Sequence, residues 1–66
     1  MRKVVRYNPC NGDSIQLGQR AYLGSVVDHP NVTPNGRTIT SIVLRCWPNE
    51  DGKLDFETYN SIYHAV

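Results

Sequence analysis

The stretch that most constrains this chain is a β-hairpin signature in its second half. Arg37 to Trp47 (RTITSIVLRCW) leads into Pro48-Asn49-Glu50-Asp51-Gly52 and returns through Lys53 to Tyr59 (KLDFETY). Asp-Gly between two β-type runs favours a tight reversal, because glycine accepts the positive φ that such turns demand. Ile42, Val43 and Leu44 form the most apolar unbroken run in the protein and interrupt strict alternation. That interruption predicts a strand buried on both faces or bent by a bulge. On the return, Leu54 and Phe56 alternate with Asp55 and Glu57, the pattern of an edge-facing, half-exposed strand with its carboxylates in solvent.

The remaining segments read as short strands separated by turn chemistry. Lys3 to Tyr7 is a β-type run, and Asn8 to Asp13 (NPCNGD) is a loop rich in Asn, Pro and Gly. Ser14 to Leu17 has the composition of a brief strand that Gly18 interrupts. Arg20 to Asp28 alternates, with Ala21, Leu23, Ser25 and Val27 on one face and Tyr22, Gly24 and Val26 on the other. Gly24 marks a bulge or tight bend within it. His29 to Gly36 holds two prolines and an Asn-Gly pair, so the strand is expected to end near Asp28 and a loop to follow. In the tail, Tyr59, Ile62, Tyr63 and Val66 have helical spacing, which allows a short C-terminal helical turn; a final strand closing against the first is the alternative. Four or five short strands predict a mostly β fold, a small single-domain barrel or strongly bent antiparallel sheet of SH3-like or OB-like kind.

Sixty-six residues make one domain, 1–66. A domain this small buries only about 60% of the surface its unfolded chain exposes. One core fits; a core plus a deep catalytic cleft is hard to accommodate, and oligomerisation is a common remedy at this size. Net charge is +1, distributed unevenly: residues 1–47 carry six cations against Asp13 and Asp28, and residues 48–66 carry Lys53 against Glu50, Asp51, Asp55 and Glu57. Nucleic-acid binders usually show a larger basic excess, so the asymmetry suits a protein partner or self-association at least as well. The amino terminus lacks the apolar run of a signal peptide, and no stretch has the ~20 apolar residues of a membrane span. The expected location is the cytoplasm, where Cys10 and Cys46 stay reduced.

Little in the sequence supports catalysis or metal binding. Cys10, His29, Cys46 and His64 stand 19, 17 and 18 residues apart, without the close pairs that let one turn present two zinc ligands. Cys46 reads instead as a small core residue beside Trp47. No nucleophile elbow, phosphate-cradling glycine loop or H-E-x-x-H pattern is present. The expectation is a non-enzymatic protein with no cofactor and no metal.

The aromatic residues are the more informative set. Tyr7, Tyr22, Trp47, Phe56, Tyr59 and Tyr63 are many for so short a chain. Tyrosine and tryptophan supply rigid contact area with a polar tip, which suits interfaces; beside arginines they also suit stacking on single-stranded bases. The candidate partner-binding surface is a rim of Tyr22, Arg45, Trp47, Tyr59 and Tyr63, with the 29–36 loop beside it.

Three strings resemble small bacteriophage-encoded accessory proteins: Asp28-His29-Pro30, then Arg37 to Val43 (RTITSIV), then Phe56 to Tyr63 (FETYNSIY). The pattern, H-P followed by T-S-x-V and F-E-T-x-N-S-x-Y, covers roughly residues 28–65 and transfers no assigned chemistry. The resemblance implies a small protein made in an infected bacterial cell, of a class that commonly binds and modulates or inhibits a host protein. The alternatives are a single-stranded nucleic-acid-binding barrel and a self-assembling structural component. Within the last string, Asn60 and Ser61 are suited to turning the chain after the strand, with Tyr63 folding back onto the core.

Overall fold

The computed structural model describes residues 3–27 and 36–66. The expected end of a strand near Asp28, the 29–36 loop up to residue 35, and the Asp28-His29-Pro30 string lie outside the described residues. Among the described residues, five strands form a closed barrel in sequential order: β1 (Lys3–Tyr7), β2 (Arg20–Val26), β3 (Gly36–Pro48), β4 (Leu54–Thr58) and β5 (Ser61–Ala65). Each consecutive pair is antiparallel. Four reversals bring β5 back in the direction of β1, so the seam that closes the barrel is parallel, running from Lys3↔Ser61 to Tyr7↔Ala65.

β3 shows why the closure requires irregularity. Thirteen residues of straight strand would span about 40 Å, yet the molecule measures only 25 Å along its longest axis. The strand bends, and register shifts mark where: between Arg20/Tyr22 on the β2 side and between Val43/Arg45 on the β4 side. At the first shift the Ala21 N–H donates to Thr40 Oγ1 at 3.0 Å, a side chain standing in for a ladder carbonyl. Of the two readings of Ile42-Val43-Leu44, the bend is therefore the observed one; Val43 is buried while its neighbours are half-buried.

A second shift, between Leu23 and Val26, reverses the phase of β2. Ala21, Leu23 and Val26 point inward, so Val26 takes the place that simple alternation assigns to Ser25. The bulge falls at Gly24–Ser25, where an added Cβ on Gly24 would touch Cys10 Cβ at 3.4 Å and Asp13 Oδ1 at 3.5 Å. Ser14 to Leu17 is not a strand: only Ser14 bridges Tyr22, and Gln16–Gln19 form a turn whose Gly18 has φ +78°.

The core consists of Val5, Tyr7, Ala21, Leu23, Val26, Val43, Phe56, Tyr63 and Ala65, with Ile15 packed against it. Phe56 sits at its centre, stacked on Tyr63 (centroids 4.6 Å, planes 7° apart) and edge-on to Tyr7 at 5.7 Å. The Tyr7 hydroxyl donates to the Leu54 carbonyl. Burial, reinforced by the charges of Asp55 and Asp13, pushes that phenol up to about 12. Ile39, Leu17 and Val4 are exposed despite their hydrophobicity.

One expectation for the second half is overturned, and the open choice in the tail is decided. β4 is not an edge: it pairs with β3 on one side and β5 on the other, and Asp55 and Glu57 are only 7% and 5% exposed. They are covered by side chains from those neighbours rather than by water. Of the two readings of the tail, the final strand closing against the first is the observed one: among the described residues there is no helix, and Ser61–Ala65 pairs with β1 and alternates strictly between buried and half-buried positions. The reversal between β4 and β5 is organised by Thr58, whose hydroxyl accepts from the Asn60 and Ser61 N–H groups. Asn60 itself reaches across to Ser41 Oγ at 2.9 Å.

Candidate functional site

The five residues of the expected rim do not form one surface. Tyr63 is 4% exposed and belongs to the core, so it leaves the set; burial also raises its phenol pKa. This is the fold-specifying role its string suggests. Arg45 and Trp47 lie on the second half of β3, opposite β4. The Arg45 guanidinium is engaged there, bonding Glu57 Oε1 through Nε at 2.8 Å and Nη2 at 2.7 Å and standing 5.7 Å from the Trp47 ring centroid. Tyr59 is exposed in the β4–β5 turn. Tyr22 stands apart from all of these on β2.

Tyr22 has the surroundings of a binding site. It is 53% exposed and pairs across the sheet with Ile39, itself 58% exposed. Paired residues in an antiparallel ladder project from the same face, so the two make an uncovered apolar ridge. They line a cleft of about 740 Å³ built from three strips: Asn11–Asp13 of the first loop, Tyr22–Gly24 of β2 and Arg37–Ile39 of β3. Asp13 fixes the loop onto the strand. Its Oδ2 accepts from Cys10 N–H and its Oδ1 from Gly24 N–H, both at 2.9 Å, while Gly12 turns the loop with φ +92°.

Outward alternation places Arg20 two residues before Tyr22 and Arg37 two residues before Ile39. Both are exposed, and among the described residues neither guanidinium has an ion-pair partner. Ile39, Arg20 and Arg37 are absent from the expected rim. The period-two pattern around Tyr22 held the signal for Arg20; nothing in the sequence paired Tyr22 with Ile39, because a bulge sets that register.

A second constellation is structural. Asp55 accepts from Ala65 N–H and Asn49 Nδ2 through Oδ1 and from His64 Nδ1 through Oδ2, each at 2.9 Å. Burial works against this carboxylate, but the donated hydrogen bonds outweigh it and hold its pKa below the ordinary value. Asn49 Oδ1 in turn accepts from Asp51 and Lys53 N–H groups, setting the β3–β4 turn with Gly52 at φ +76°. One carboxylate thus ties the turn, β4 and the end of β5 together.

Cys10 and Cys46 are both exposed, so Cys46 is not the core residue its neighbourhood suggests. Among the described residues, no group of three metal-ligating side chains is close enough to hold an ion, and no helix is long and apolar enough to cross a membrane. Comparison of the chain with protein-family models, curated proteins and solved structures finds no match.

Proposed function

We propose that this protein is a non-enzymatic binding module that docks a protein partner on the outer β2–β3 face. The observation that carries this reading is the exposed Tyr22–Ile39 pair set in a walled cleft. Water contact on two large apolar side chains in register is unfavourable by roughly 25 cal/mol per Å² of apolar area, and a partner that covers them recovers that free energy. Tyrosine on a strand gives the partner a rigid contact at low entropic cost. The resemblance to small phage-encoded proteins makes a host bacterial protein the expected partner, bound and modulated or inhibited in the host cytoplasm.

A second reading, binding of single-stranded nucleic acid, draws on Arg20 and Arg37 flanking Tyr22, since cations beside an aromatic ring suit a stacked base and its phosphates. Capture from nuclease-treated bacterial lysate on immobilised protein separates the two. The protein reading expects one host protein retained by the wild type and lost with Tyr22→Ala. Recovery that disappears with nuclease, together with affinity falling steeply with salt, would put the nucleic-acid reading in its place.

A further inference from the structure

We infer that the β2–β3 face recognises an extended acidic segment of its partner, with one apolar side chain placed midway between two carboxylates. The inference rests on the proposed docking role of this face and adds the chemistry of what docks. The cleft has an apolar ridge at Tyr22–Ile39 and Arg37 in its lining, while Arg20 stands outside it, two residues before Tyr22 on β2. Neither guanidinium has an ion-pair partner among the described residues. Asp13 is the one carboxylate among the described lining residues, and both its oxygens are turned onto backbone N–H groups. With Arg20 beside the cleft, two guanidiniums stand against that one carboxylate, and the face is positive on balance.

Register sets the spacing. Leu23 pairs with Thr38 and Val26 with Gly36, so Arg37 stands opposite the Gly24–Ser25 bulge, about four residues along β2 from Arg20. Four residues of strand span roughly 13 Å, and an extended peptide laid alongside advances at the same rate. Its carboxylates meet the two guanidiniums when they are four positions apart. The side chain midway between them shares their face, because alternation has period two, and lands on Tyr22–Ile39. The recognised pattern is acidic, any, apolar, any, acidic. A polyanionic strand is the weaker fit: the face offers two cations in a chain of net charge +1, and nucleic-acid sites usually carry a larger basic excess.

The test is an amide-resolved NMR titration of the full chain with four probes. These are the capped peptides Glu-Ser-Leu-Ser-Glu, its permutation Glu-Glu-Leu-Ser-Ser, Lys-Ser-Leu-Ser-Lys, and a ten-nucleotide oligothymidylate. An exposed ion pair changes affinity by roughly two- to fivefold. The first peptide is therefore expected to bind two- to fivefold tighter than the permutation, about tenfold tighter than the lysine peptide, and to shift the amides of Tyr22 and Ile39. Arg20→Glu or Arg37→Glu, both at exposed positions, should erase the advantage over the permutation. Equal affinities for the three peptides, no saturation by any of them, or tighter and more salt-sensitive binding of the oligonucleotide would overturn the inference. If Tyr22→Ala still abolishes capture from lysate in that case, the docking face stands and only the acidic class falls. If capture survives Tyr22→Ala, the face itself falls.

Discussion

The β3–β4–β5 side of the barrel and its β2–β3 face use the same residue types to opposite ends. On the first, Phe56 and Tyr63 stack inside, Asp55 and Glu57 are buried, and each carboxylate is met by donors from neighbouring elements. On the second, Tyr22 and Ile39 face solvent and Arg20 and Arg37 have no ion-pair partner among the described residues. A small barrel has few side chains to spare, and buried polar groups persist where they are paired. The contrast places the paired, buried groups on one side and the proposed binding face on the other.

The sharpest way to break the comparison is at the centre of the stable side. Phe56→Ala removes a fully buried ring that touches both core tyrosines and is expected to cost about 3–5 kcal/mol, enough to unfold much of the population at 37 °C by circular dichroism. Asp55→Asn comes next, at about 2 kcal/mol, because the amide cannot accept from Ala65, Asn49 and His64 together. Since the folded Asp55 pKa lies below its unfolded value of about 3.9, its contribution is complete above that value and is lost as pH falls through the folded one. Urea midpoints measured from pH 6 downward should therefore fall in the wild type and flatten in Asp55→Asn. Tyr7 has the opposite sign: raised to about 12, it contributes fully below pH 10 and loses that contribution as pH climbs toward 12. Tyr7→Phe should flatten the alkaline limb.

Arg45→Ala sits between the two sides. Its guanidinium is largely exposed while Glu57 is not, so a cost of about 1 kcal/mol in urea unfolding is expected, without loss of binding. At the small end, Tyr22→Ala and Ile39→Ala should alter stability by no more than about 0.5 kcal/mol while weakening partner binding by 2 kcal/mol or more, the range of an interface anchor. If either residue proved to cost as much stability as Phe56, the division between the sides would be lost.

The strands and the hairpin were legible because their signals are local: Asp51-Gly52 in the turn, β-branched runs in β3, and alternation in β2. What was not legible depended on register. The bulge at Gly24–Ser25 moves Val26 inward and sends Ser25 out of phase, and the shift between Arg20 and Tyr22 sets Tyr22 against Ile39. Asp55 and Glu57 read as solvated because carboxylates alternating with apolar residues usually are. Their burial comes from Asn49, His64 and Arg45, contributed by the flanking turn and strands. The helical spacing of Tyr59, Ile62, Tyr63 and Val66 was coincidental, since parallel pairing with β1 claims the backbone of Ser61–Ala65. Grouping Tyr63 with the surface aromatics failed because composition does not say which ring faces inward.

The most direct test of the division is parallel capture from nuclease-treated bacterial lysate on three immobilised proteins: wild type, Tyr22→Ala and Tyr59→Ala. Each is first shown to unfold at the same urea midpoint. The account predicts one host protein retained in stoichiometric amount by wild type and Tyr59→Ala and absent from Tyr22→Ala. Equal retention by Tyr22→Ala, or loss only with Tyr59→Ala, would contradict the assignment of binding to the β2–β3 face.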